Sequence, residues 1–185
     1  MLHRFAMTAV YLACAATAAA QGEGPREVAQ HIWSAVQDHN WALAAHYTHP
    51  HALHELRQIL DPILVAPGAA GDSARDAIFG SVSPTAAALT SDSAVYVNLS
   101  RLSSSIKAEQ PGAVEASHYE FLGTVNEGKD TVHVIARASA TVGGQHLQWI
   151  QVYSLARSGS AWLGLVEPNW SQFAAALRAA VTDRK

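Results

Sequence analysis

A single cysteine, Cys14, occurs in the 185 residues, and it sits within the apolar stretch that opens the chain. Downstream of it no disulfide or thiolate metal site can form, so stability has to come from a packed core. Charge is scarce too: Asp, Glu, Lys and Arg make up 15% of the sequence, the formal net charge is −3, and no basic stripe gathers on any segment. That distribution argues against nucleic acid and against an anionic membrane surface as partners. No apolar run reaches the roughly 20 residues of a membrane-spanning helix. A Gly-rich phosphate loop and a nucleophile elbow are both missing, and no cofactor is expected.

The opening segment has the order of a secretory signal. Arg4 supplies the positive end, Phe5 to Ala13 the apolar core, and Ala18-Ala19-Ala20 a small-residue cleavage site. Residues 1–20 are read as a signal peptide and 21–185 as one domain, exported to the periplasm or secreted. Cys14 also ends a short apolar run, as a lipid-attachment cysteine does, but Tyr11 three residues earlier departs from the small aliphatic residue of that pattern. Removal of Arg4 takes the net charge from −3 to −4 and leaves nine of the ten histidines. About 165 residues suffice to bury roughly 70% of the unfolded chain's surface.

Helical spacing dominates the first part. Pro25 suits a first helical position, and Val28, Ile32, Ala35 and His39 follow on one face. Asn40 is read as an N-cap for a short helix with Trp41, Ala44 and Ala45. Thr48 or His49 caps the next, in which Leu53, Leu56, Ile59, Leu60 and Ile63 form a stripe that Pro62 bends or ends. Val65 to Leu89 is rich in Ala, Gly, Ser and Pro, which predicts a long connection with one helical turn around Ala74 to Phe79. Ser91-Asp92 then opens a helix carrying Val95, Leu99, Leu102 and Ile106.

The remainder is punctuated as an antiparallel sheet. Runs over 118–125, 131–142, 146–157 and 161–166 are separated by Asn126 to Asp130, Gly143-Gly144 and Ser158-Gly159-Ser160, all hairpin signals. In the third run Leu147, Trp149, Gln151, Tyr153 and Leu155 alternate with Gln148, Ile150, Val152 and Ser154, so both faces carry apolar residues. One face is expected under helices, the other partly covered by a second chain or by the chain's own ends. Pro168 to Val181 closes the chain as a helix with Phe173, Leu177 and Val181 on one side. The fold class is α+β.

Several stretches carry a resemblance: Asp38-His39-Asn40-Trp41 leading to Tyr47-Thr48-His49-Pro50, Phe121 to Val125 with Glu127-Gly128, Val132-His133-Val134, and Ala161-Trp162-Leu163. With helices first and a meander after, the chain from Glu27 to Val166 resembles the nuclear transport factor 2-like superfamily, which includes ketosteroid isomerases, scytalone dehydratases and SnoaL-like cyclases. The resemblance implies a cone-shaped curved antiparallel sheet (a cystatin-like roll) closed over a cavity by N-terminal helices, with homodimers through the sheet common. Enzymes of that group place a carboxylate base and hydrogen-bond donors in the cavity. Here Glu115, Glu120, Glu127 and Asp130 fall at the start of the sheet or in turns, so a non-catalytic role is favoured.

Three kinds of site are open. Trp33, Trp41, Tyr119, His133, Trp149 and Tyr153 are read as lining a pocket for a small apolar or amphipathic ligand, each with a plain core reading beside it. Trp162 reads as structural, and Trp170 as a cover for the pocket mouth or a packing residue. His39, on the apolar face of the first helix, is a candidate base with Tyr119 or Tyr153 as polar partner, or else a hydrogen-bonded core or cap residue. His46, His49, His51 and His54 have the residue type of a zinc, nickel or copper site. A solvated helix face explains His51 and His54 equally well, and a structural zinc needs four fixed ligands.

Overall fold

The computed structural model describes residues 22–109, 116–166 and 168–182. The signal-like segment, Cys14 and Glu115 lie outside the described residues. Six helices come first: α1 (Pro25–Gln37), α2 (Trp41–His46), α3 (Pro50–Leu64), α4 (Gly68–Phe79), α5 (Pro84–Ala88) and α6 (Asp92–Glu109). The strands β1 (His118–Glu127), β2 (Thr131–Val142), β3 (Gln145–Ser158) and β4 (Ala161–Gly164) follow, and α7 (Pro168–Thr182) ends the fold.

Caps and breakers act where local chemistry places them. Pro25 begins α1, Asn40 Oδ1 accepts from the Leu43 N–H at the start of α2, and His49 Nδ1 accepts from the His51 N–H at the start of α3. Pro62 does not stop α3, which runs on to Leu64. Leu56, Leu60, Ile63 and Leu64 are fully buried along that helix, each worth about 1.5–3 kcal/mol of apolar transfer. Phe173 and Leu177 of α7 pack against the same core; the Val181 side chain lies outside those described.

The segment between Val65 and Leu89 differs from the expectation of a long connection with one turn. It holds two helices, α4 and α5, and the reason is polar. Arg75, 1% exposed, donates to the Leu64 and Ala66 carbonyls at 3.0 and 2.7 Å and pairs with Asp72. Arg57 donates to the carbonyls of Ala87, Ala88 and Thr90 and pairs with Asp61. Two buried guanidiniums thus satisfy the orphan carbonyls at the ends of α3 and α5, a device that apolar periodicity does not reveal.

The sheet is an antiparallel meander in the order β1-β2-β3-β4. Gly143 and Gly144 both take positive φ, 55° and 81°, as a two-residue hairpin turn requires. A register shift between Phe121 and Gly123 leaves Leu122 as an extra residue in β1. The sheet is neither closed nor strongly curled, so the cone expected from the resemblance reduces to an open sheet with helices on one side.

Two cores result. One is helical, built by α2 to α7 with Ala35 of α1 around Leu56, Leu60 and Leu99; the other joins Val28 and Ala29 of α1 and Tyr47 to Val132, Val134 and Leu155 of the sheet. α1 carries the main contact between helices and sheet, whereas α6 packs on α2, α3 and α4. The layers are also stitched where Thr48 forms a parallel bridge with Gly164: His49 N–H donates to the Gly164 carbonyl at 2.8 Å, and Gly164 N–H to the Tyr47 carbonyl at 2.7 Å.

Candidate functional site

Between the two cores lies a cavity of about 300 Å³, bounded by α1, α6, the inner face of β2 and β3, and the start of α7. The inner face of β2 begins with Val132 and Val134 and continues with Ala136, Ala138 and Ala140, all buried. Val132 and Val134 pack with Val28 and Ala29 of α1; the smaller alanines follow, and of them Ala138 borders the cavity. Ala138 forms part of the cavity floor, and its cross-strand partner is Trp149.

The aromatic wall unites residues from distant segments. Trp33 of α1, Trp41 of α2, Trp149 and Tyr153 of β3 and Trp170 of α7 all line the cavity. Tyr119 stands just behind them, its ring centroid 5.3 Å from Trp33 and 6.0 Å from Tyr153. Trp170 also packs against the Tyr96 ring at 5.9 Å. Trp162 lies away from this wall, under the Arg157 guanidinium at 4.4 Å. Three polar tips around the cavity are buried without a hydrogen-bond partner: Trp33 Nε1, Tyr119 OH and Ser100 Oγ. Burial pushes the Tyr119 hydroxyl above its ordinary value near 10, with the Arg26 guanidinium partly offsetting it.

His39 is at the rim and not on the helix face expected for it. α1 ends at Gln37, and His39 takes φ 53°, the left-handed conformation. Its N–H donates to the Val36 carbonyl, and the Asn40 N–H to the Ala35 carbonyl, which together make a Schellman turn. The imidazole is exposed, lines the cavity and lies 5.5 Å from the Trp41 ring.

His133 occupies the opposite face of the sheet from Val132 and Val134. Its Nδ1 is 2.9 Å from Ser154 Oγ and its Nε2 is 2.9 Å from Glu127 Oε2. A serine, an imidazole and a carboxylate in line have the composition of a nucleophilic triad. The row lies on the sheet face opposite Val132 and Val134 with its Glu127 end exposed, and the β-ladder takes up backbone N–H groups of β2 and β3 that an oxyanion hole would need. His118 also lies on a strand, and His146 meets Gln148 at 2.9 Å.

The four clustered histidines are not brought together. His46 packs edge-on to Tyr47, His49 caps α3, His51 pairs with Glu55 at 3.3 Å, and His54 meets Asp92 at 3.0 Å and Gln58 at 3.0 Å. Among the described residues no three His, Cys, Asp or Glu side chains are placed to share a metal ion.

The sequence reading missed the wall opposite the aromatics. Tyr96, Ser100, Ser103, Ser104 and Lys107 of α6 all line the cavity. The expected apolar stripe holds in part: Val95 and Leu99 are fully buried, but Ile106 is 38% exposed. A repeat of polar residues three and four apart beginning at Ser100 was the available signal, and it is the same pattern that a solvated helix face shows. No family model, no curated protein and no solved structure matches the chain.

Proposed function

We propose that this chain is an exported, non-catalytic member of the nuclear transport factor 2-like group that holds a small apolar or amphipathic molecule in the cavity between α1, α6 and the sheet. The observation that carries the reading is an aromatic-lined space of about 300 Å³ whose surrounding Trp33, Tyr119 and Ser100 tips lack partners. Ligand sites combine apolar walls with a few convergent polar groups, and a buried polar group left unpaired costs about 1–3 kcal/mol that a ligand recovers. Helices preceding a four-stranded meander support the family assignment; the open sheet departs from a cone. Titrating the purified protein with 1-anilinonaphthalene-8-sulfonate tests the reading: saturable binding with a change in tryptophan emission is expected, and a linear, non-saturating response would sink it.

A second reading, an isomerase-, dehydratase- or cyclase-type enzyme with His39 as base, is favoured by one observation, the imidazole on the cavity rim. Against it, no carboxylate lines the cavity among the described residues. Solvent deuterium entering the α-carbon of small ketones, and ceasing in His39→Gln, is the result that reading requires.

A further inference from the structure

The cavity has two chemically different walls. One is aromatic; the other is a polar stripe on α6 in which Ser100, Ser103, Ser104 and Lys107 fall on one helical face. The stripe is graded in depth. Ser100 is 1% exposed and its hydroxyl has no partner, Ser103 and Ser104 are half-buried, and Lys107 is exposed at the end of the helix. Lys107 is the one Lys or Arg among the described lining residues, and no Asp or Glu accompanies it.

From this we infer that the cavity takes a small flat organic anion, a monocarboxylate on an aromatic or alicyclic body, with the anionic group held by Lys107, Ser103 and Ser104. The inference rests on the cavity being a ligand site. The ring body stacks against Trp33 and Trp149, which have π-faces and no charge to offer. Ammonium and hydroxyls supply donors only the headgroup can use, in a geometry where hydroxyl donors shorten and strengthen bonds to an ionised oxygen. At the buried end the unpartnered Ser100 Oγ and the donor-only Trp33 Nε1 belong to lining residues and can each donate to an acceptor oxygen. The preferred ligand is therefore a carboxylate with a carbonyl or hydroxyl oxygen at its other end.

The experiment compares 2-naphthoate with 2-naphthamide, which share shape and differ in charge, by tryptophan fluorescence on the full chain after signal removal. A charge-assisted contact is worth about 1.5–3 kcal/mol, so naphthoate should bind roughly ten-fold or more tighter. That preference should shrink as salt rises, because Lys107 is at the exposed end, and it should vanish in Lys107→Gln with naphthamide binding unchanged. If naphthamide binds as well as naphthoate, the anion inference is overturned and the apolar cavity reading survives. If neither binds, both fall. A preference that persists in Lys107→Gln would likewise overturn the assignment of the headgroup to this wall.

Discussion

Replacing His39 with glycine separates two roles that the turn after α1 combines. A non-glycine residue in the left-handed region costs about 1–2 kcal/mol, and the ring contact with Trp41 returns about 0.5–1.5 kcal/mol. His39→Gly is therefore expected to leave urea-unfolding stability within about 1 kcal/mol of wild type, so any change in ligand binding or proton exchange belongs to the imidazole. Tyr119 gives the opposite kind of test. Its hydroxyl is buried and unpaired, so Tyr119→Phe should raise stability by about 1 kcal/mol, reversing the usual sign of a core truncation. The hydroxyl's value is raised above 10 in the folded chain, as is that of Tyr47, where burial leads and Glu23 adds. Above pH 10 the unfolded chain loses these protons first, so stability is full below that pH and falls as pH climbs toward the folded values. Melting curves across that window should be flatter in Tyr119→Phe; an unchanged slope would remove Tyr119 as a contributor.

α4 and α5 show how an element escapes a reading based on apolar spacing. Their positions depend on Arg57 and Arg75 holding backbone carbonyls, and those partners lie 9 to 33 residues away in sequence. Arg75→Met keeps the volume and removes the donors, leaving two carbonyls and Asp72 unpaired, and should cost about 2–4 kcal/mol by chemical denaturation. A loss below 0.5 kcal/mol would mean that water replaces the guanidinium. By contrast β2 spans the residues its flanking turn signals predict, Thr131 to Val142, and α6 forms over its predicted stripe. What the spacing in α6 could not tell is the use of its second face. Ser100, Ser103 and Ser104 satisfy a water-facing pattern and a cavity-facing pattern equally. His133 has the same ambiguity on a strand, since period two assigns it to the face opposite Val132 without saying which face α1 covers.

The chain taken together has one covered sheet face and one open one. On the covered side Ala138 borders the cavity, where a larger residue would take up part of the space. Ala138→Ile should hold or raise the melting temperature while abolishing binding of the naphthalene probes, since it fills existing space instead of overpacking a core; a large destabilisation with binding intact would show that the space is elsewhere. On the open side Val125, Ile150 and Val152 are exposed, Ile150 at 57%, and such a patch commonly marks an interface. A second copy of this chain is the partner we expect there, with Ile150→Lys giving a monomer by sedimentation and an unchanged melting profile; a monomeric wild type would dismiss it. Local sequence determined the helices that carry strong apolar stripes, the four strands, their turns and the antiparallel order, because caps, breakers and alternation act over a few residues. Tertiary structure alone decided that Val95 and Leu99 anchor α6 on the helical core and hold it off the sheet, turning hydroxyls and an ammonium toward the aromatic wall: a cavity is the volume two layers fail to fill, and that is set by distances between segments which no local pattern encodes.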